Sequence, residues 1–271
     1  NAICVGQNAN VQLTGLGNLT NISLDYSLSD GNVSKNQAVT LTVNSGNASF
    51  VIPASTLLNT GNTVFTLNSI LDNGNGCTAI TSNKTKSFLV NSLPVDPVTS
   101  NFNFCENDVA TIANLSPNGS QYQWFDSVSS TNVLSSSTLL ATSTYYVKEV
   151  NATSGCESGR TAISVTINES NIPDLETDGQ IFCGLDNPTI QSLSDKTTVD
   201  DSLVWFDAPE NGNQLDSDVL LKDGITYYGF NFSSVTNCYS NPLEVTVSLS
   251  NCDESPDFFI PDGFSPNGDG V

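Results

Sequence analysis

Apolar and polar residues alternate in short runs along this chain. In Glu244-Val245-Thr246-Val247-Ser248-Leu249 the apolar side chains fall at every second position, the period that puts them on one face of a β-strand. Ala38-Val39-Thr40-Leu41-Thr42-Val43, Thr63-Val64-Phe65-Thr66-Leu67 and Lys86-Ser87-Phe88-Leu89-Val90 are strand-like runs of the same kind. Clusters such as Asp72-Asn73-Gly74-Asn75-Gly76 and Pro209-Glu210-Asn211-Gly212-Asn213 separate them, and these residue types favour turns. No apolar stripe of 3.6-residue period stands out. The pattern predicts an all-β protein.

Two stretches repeat one set of landmarks. One passes through Phe104-Cys105, Trp124-Phe125-Asp126, Thr144-Tyr145-Tyr146 and Gly155-Cys156-Glu157-Ser158 to Ala162-Ile163-Ser164-Val165-Thr166-Ile167. The other passes through Phe182-Cys183, Trp205-Phe206-Asp207, Thr226-Tyr227-Tyr228 and Asn237-Cys238-Tyr239-Ser240 to the strand at 243–249. Cys105 precedes Trp124 by 19 residues and Cys183 precedes Trp205 by 22; each Trp precedes the next Cys by 32 or 33. From Tyr146 to Cys156 and from Tyr228 to Cys238 the distance is 10 in both. Matched spacing at four landmarks marks two copies of one unit. Residues 1–93 read as a diverged copy, bracketed by Cys4 and Cys77 and closed by a strand after the second Cys, but without Trp.

The expected organisation is a tandem of immunoglobulin-like antiparallel β-sandwich domains at 1–93, 98–169 and 173–250, followed by a linker and further motif at 251–271. Pro94, Pro97 and Pro173 mark the joints. Proline stiffens a connection and cannot donate to a sheet ladder, so an elongated string is expected. The Cys…Trp…Cys order is the one in which such sandwiches bury a Trp between their sheets. Trp124 and Trp205 are therefore expected in the core, with sugar stacking as the competing use. One Tyr of each Tyr-Tyr pair should face inward and the other outward.

Six of the seven cysteines form three pairs, one per repeat. In an exported chain this reads as intradomain disulfides Cys4–Cys77, Cys105–Cys156 and Cys183–Cys238, with reduced buried thiols as the alternative. Cys252 is left over, either free or paired further along.

Composition narrows the chemistry. Twenty-eight acidic residues face seven basic ones, a net charge of -21, and scattered cations do not hold a phosphate backbone, so nucleic acid is excluded as a partner. With no His in the chain, Ser–His and Cys–His nucleophilic systems are ruled out, and so is the commonest metal ligand. A pair of carboxylates could still act as acid and base. Asp207 and Glu210 are the candidates, although a turn is the ordinary setting for both. No enzyme and no cofactor are expected. No run reaches the 18 apolar residues of a membrane helix. A chain with no Met that opens on Asn1 and stops inside a motif is expected to be part of a longer protein.

The repeat pattern resembles the Ig-like repeats of large Bacteroidetes surface proteins. The end of the chain carries a sharper resemblance. Phe258-Phe259-Ile260-Pro261-Asp262-Gly263-Phe264-Ser265-Pro266-Asn267-Gly268-Asp269-Gly270-Val271 is similar to the opening of the type B, gliding-motility-associated C-terminal domain. Phe259, Pro261, Gly263, Phe264, Pro266, Asn267, Gly268, Asp269 and Gly270 would be the start of that secretion signal. The resemblance implies export by the type IX translocon, with outer-membrane anchoring or carrier proteins as partners and the outer cell surface as the address. It also implies an adhesin role, since the family includes large gliding adhesins. Surface glycans are a candidate partner, and the ligand itself is not specified by the sequence. Asp262, Asn267 and Asp269 place oxygens at intervals on a Gly-rich turn and are weak Ca²⁺ candidates, although the spacing fits no EF-hand. Asp126-Ser127-Val128 and Asp201-Ser202-Leu203 resemble short O-glycosylation sites of the same phylum. The rival reading is a glycan-binding accessory module of a secreted polysaccharide-degrading enzyme.

Overall fold

Burial follows the two-residue period. The computed structural model describes residues 2–252, and at 80–83 the backbone alone. The first strands are β1 (Ala2–Cys4), β2 (Ala9–Leu13), β3 (Asn21–Asp30), β4 (Ser34–Thr42), β5 (Ala48–Ile52), β6 (Gly61–Asp72) and β7 (Thr78–Asn91). They make a five-stranded sheet in the order β1-β7-β6-β3-β4 and a two-stranded sheet, β2-β5. On β3, Ile22, Leu24, Tyr26 and Leu28 alternate into the core. There they meet Ala9, Ala48, Phe50 and Ile52 from the small sheet, so the two sheets share one interior. Three rings occupy the middle that a Trp fills elsewhere. Tyr26 lies 5.1 Å from Phe50 and 5.4 Å from Phe65, and Phe50 lies 6.2 Å from Phe65, all within aromatic contact range.

The next strands are β8 (Phe102–Cys105), β9 (Tyr122–Phe125), β10 (Ser143–Glu149) and β11 (Thr161–Asn168), in the sheet order β8-β11-β10-β9. Trp124 stands opposite Val147 and is buried, as are Leu115, Ile163 and Val165.

The remaining elements are β12 (Asp174–Leu175), β13 (Ile181–Cys183), helix α1 (Ile190–Ser194), β14 (Thr197–Thr198), β15 (Ser202–Phe206), β16 (Gln214–Leu215), β17 (Thr226–Ser233), β18 (Cys238–Tyr239), β19 (Leu243–Thr246) and β20 (Ser248–Ser250). The main sheet runs β16-β15-β17-β18 with β19 also on β17, while β12 pairs β14 and β13 pairs β20. The closing strand expected over 243–249 divides at Val247: β19 pairs antiparallel with β17, and β20 pairs in parallel with β13. Val247 keeps its backbone bonded through the change of sheet, donating to Ile225 O and accepting from Gly224 N, both at 2.9 Å. Helix α1 spans five residues, too few to show a helical period in sequence. It buries Ile190 and Leu193 against Trp205.

Contacts group the described residues into two compact units. One comprises 2–102 and Thr111–Val165, and the other Asn103–Ala110 with 166–252. Among the described residues no helix is long and apolar enough to cross a membrane.

Candidate functional site

The disulfide pairing departs from the one expected within each repeat. Cys4 bonds Cys156, Cys105 bonds Cys238 and Cys183 bonds Cys252, with Cα separations of 5.6, 5.5 and 5.5 Å. Cys77 is free and exposed. The expected Cys4–Cys77, Cys105–Cys156 and Cys183–Cys238 bonds are therefore corrected, and strand length explains why. Cys4 ends β1 and lies opposite Asn91, the last residue of β7, whereas Cys77 immediately precedes Thr78, the first. A fourteen-residue strand spans about 40 Å at roughly 3.3 Å per residue, and a disulfide needs its Cα atoms within about 7 Å. The same polarity holds later in the chain. Cys183 lies beside Ser250 of β20, while Cys238 lies beside Ser233 at the far end of β17.

The cysteines fall into two structural kinds. Cys4 and Cys183 each end a strand paired in parallel with a closing strand. Cys105 ends β8, where Asn168 Nδ2 of β11 donates to Phe104 O at 3.1 Å. Cys77, Cys156 and Cys238 sit instead in one recurring turn. Before each is a residue in the left-handed region, Gly76 (φ 73°), Gly155 (φ 72°) or Asn237 (φ 58°). Its N–H donates at 2.8 Å to a carbonyl four residues back, on Asp72, Asn151 or Ser233. Asp72 and Asn151 donate in return to Cys77 O and Cys156 O, and Ser233 is the register partner of Cys238. Two disulfides obey one rule: a first-strand cysteine reaches the turn cysteine of the repeat that follows. The third closes onto Cys252, two residues beyond β20.

The recurring Ser after the turn also acquires a role. Ser158 Oγ accepts from Glu149 N and donates to Gly159 O, and Ser240 Oγ accepts from Asn231 N and donates to Asn241 O. Its hydroxyl thus satisfies backbone where the strands separate. The Tyr pairs divide as a strand requires, with Tyr145 and Tyr227 buried and Tyr146 and Tyr228 half-buried on the other face. Each buried hydroxyl accepts from a backbone N–H upstream, Ala141 N at 3.0 Å and Lys222 N at 3.1 Å.

Trp124 is 4% exposed and Trp205 2%, and Trp205 Nε1 donates to Ser194 Oγ at 3.0 Å. Neither indole can stack on a sugar. The aromatic surface lies elsewhere. In the second repeat Phe125 is covered: the Arg160 guanidinium sits 3.6 Å from its ring centroid while donating to Ser127 O, Val128 O and Ser130 O. Lys148 stands 5.2 Å from the same ring and pairs with Glu157 at 2.6 Å. By strand register, Phe206, Phe230 and Tyr239 hold the positions of Phe125, Lys148 and Glu157 in the third repeat. A polar lid is thus replaced by rings. Phe206–Phe230, Phe206–Tyr239 and Phe230–Tyr239 centroids are 5.4, 6.1 and 6.1 Å apart, and Phe232 adds a contact of 4.7 Å to Tyr239. With Ala208, Pro209, Asn211 and Gly212 the first three line an open hollow of about 330 Å³. The substitution of ring for charge at two aligned positions could have been found in sequence, but only with the register known.

Asp207 closes the adjoining turn. Its Oδ1 accepts from Asn213 N at 2.7 Å and its Oδ2 from Asn213 Nδ2 at 2.9 Å. These bonds favour the carboxylate and hold Asp207 below its ordinary pKa. Both oxygens are occupied by Asn213. A depressed carboxylate stabilises the folded turn above its unfolded pKa and loses that contribution as pH falls through the lower folded value. The Asn213 amide resonance should therefore move at a pH below the usual carboxylate range, and Asp207→Asn should abolish the titration. A midpoint at or above the ordinary value would contradict the turn assignment.

Among the described residues no three Cys, Asp or Glu side chains gather as a metal site. The calcium candidates Asp262, Asn267 and Asp269, and the secretion-signal residues Phe259, Pro261, Gly263, Phe264, Pro266, Asn267, Gly268, Asp269 and Gly270, lie outside the described residues.

Residues 94–168 match the family model described as Ig-like domain CHU_C associated. No curated protein matches the chain. Among solved structures, the chain is similar to the chicken CNTN1 FN1–FN3 domains at 11% identity, covering 89% of this chain and 95% of that one with a TM-score of 0.25. Sidekick-1 immunoglobulin domains 1–5 align at 12% identity over 92% of this chain and 56% of that one, with a TM-score of 0.20. The sheets, the buried Trp residues and the family match over residues 94–168 define an all-β, immunoglobulin-like fold. The chain's three disulfides are bonds of an oxidising compartment.

Proposed function

We propose that this chain is a non-catalytic, disulfide-stapled spacer in a bacterial cell-surface adhesin. It consists of three Ig-like modules, at 1–93, 98–169 and 173–250. The observation that carries the reading is the covalent register, in which Cys4–Cys156 and Cys105–Cys238 each tie one repeat to the next. A bond inside a module protects only that module's fold. A bond from one repeat to its successor resists their separation, which is what a surface filament under load requires. The tail resemblance supports export by the type IX translocon and attachment at the outer membrane through carrier proteins, in a role linked to gliding or surface attachment. The scarcity of cations and the absence of His support a partner other than nucleic acid and a role other than catalysis.

Small-angle scattering of the oxidised chain should give an extended particle whose maximum dimension grows when the disulfides are reduced under native conditions. A compact particle, with no change on reduction, would remove the spacer reading.

The aromatic face around Phe206, Phe230 and Tyr239 favours a second reading, a glycan-binding module. Rings that cover a hollow without charge suit the apolar faces of sugars. On a glycan array, Tyr239→Ala should abolish any sugar signal while leaving the fold intact. Absence of signal from the parent chain would discard this reading.

A further inference from the structure

Cys77 occupies the position at which the other two repeats are cross-linked. Its turn has the hydrogen bonds of the turns at Cys156 and Cys238: Gly76 N to Asp72 O, and Asp72 N to Cys77 O. Both bonded counterparts are buried, at 0% and 1% exposure, whereas Cys77 is exposed. Each counterpart is held by a cysteine that ends the first strand of the preceding repeat. All three first-strand cysteines here, Cys4, Cys105 and Cys183, are already bonded. Cys77 is therefore the one turn cysteine whose partner this set of repeats does not supply.

We infer that Cys77 is a docking cysteine, which takes a disulfide from the first-strand cysteine of a further Ig-like module placed before it. The inference rests on the stapling register and not on the adhesin reading. One S–S bond forms between the two Sγ atoms and two S–H bonds break. The two protons and two electrons pass to a disulfide-bearing oxidant, which leaves as a dithiol. The partner is a module of this chain's own class. Its first strand ends in Cys and pairs in parallel with its closing strand, which brings that cysteine to the end from which the following repeat departs. The same rule then extends the ladder to the preceding module, while Cys183 is already bonded to Cys252.

The test labels free thiols with N-ethylmaleimide, followed by non-reducing peptide mapping. In the 271-residue chain the label should sit on Cys77. When a second copy of residues 94–168 is fused ahead of Asn1 and oxidised, the label should leave Cys77 and appear on the added copy's turn cysteine. The added first-strand cysteine should be found bonded to Cys77. With Cys77→Ala in the fusion, both cysteines of the added copy should be labelled. Continued labelling of Cys77, with the added pair bonded to each other, would overturn the inference.

A second measurement does not depend on the fusion folding. In protein taken from the surface of the cells that make it, blocked before lysis, Cys77 should be linked to another cysteine-bearing peptide. Cys77 carrying the blocking group, beside intact Cys4–Cys156 and Cys105–Cys238 bonds, would overturn the docking role and leave the stapled reading standing. Loss of those two bonds as well would overturn both.

Discussion

Replacing Trp205 with alanine should cost about 3–5 kcal/mol, the range for truncating a large buried aromatic, with an outcome near its top. The indole lies among Ile190, Leu193, Tyr227 and Val245, and the residue opposite it is Gly229. A Cβ at Gly229 would fall 2.9 Å from the ring, so the backbone there has been cleared for the indole and carries no side chain that could move into the space. The void would stay open, and the cost of a core truncation rises with the volume left unfilled. Trp124 differs in having Val147 opposite. Several sheets need not unfold together, so the appropriate readout is hydrogen exchange at the amides of β15 and β17 under increasing urea. A loss below about 1 kcal/mol there would show that the ring is not what holds this sheet pair together.

The second large effect is expected from Cys105→Ser with Cys238→Ser. This pair removes a bond that closes a sequence separation of 133 residues, and the chain-entropy model assigns such a loop about 4–5 kcal/mol. Both sulfurs go together, so no new thiol is left to exchange. The urea midpoint of β17 and β18 should fall sharply, while the exchange of β3 and β6, held by their own core, should change little. The prior check is chemical. Non-reducing peptide mapping should recover Cys105 attached to Cys238. Recovery of Cys105 attached to Cys156 would restore the intradomain pairing and remove the basis of the stapled reading.

The disulfide pairing departs from the pattern of the repeats even though the spacing itself recurs. Cys105, Trp124 and Cys156 do recur as Cys183, Trp205 and Cys238, and the order matches that of sandwiches in which the two cysteines bond across the Trp. What spacing does not carry is the direction in which the first strand runs. In the first and third repeats that strand pairs in parallel with the closing strand, which sends its terminal cysteine to the end of the sheet opposite the turn. Neighbours in sequence pattern become distant in space: Cys4 and Cys105 bond the turn cysteine of the next repeat, and Cys183 bonds Cys252. The aromatic face was hidden for a related reason. Phe230 and Tyr239 are nine residues apart and meet only because β17 turns back through β18.

Local chemistry along the chain determined the strand period, the turns rich in Gly, Asn and Asp, the all-β class and the repetition, because each depends on residues close together in sequence. It also showed that the first repeat must fill its core without Trp, though not that Tyr26, Phe50 and Phe65 would do so. The tertiary structure alone decided which cysteines pair, which residues cover Phe125, where the closing strand changes sheet, and that Cys77 stands free. Those outcomes depend on strand direction and on contacts between residues as far apart as 4 and 156, and no local preference records such a contact.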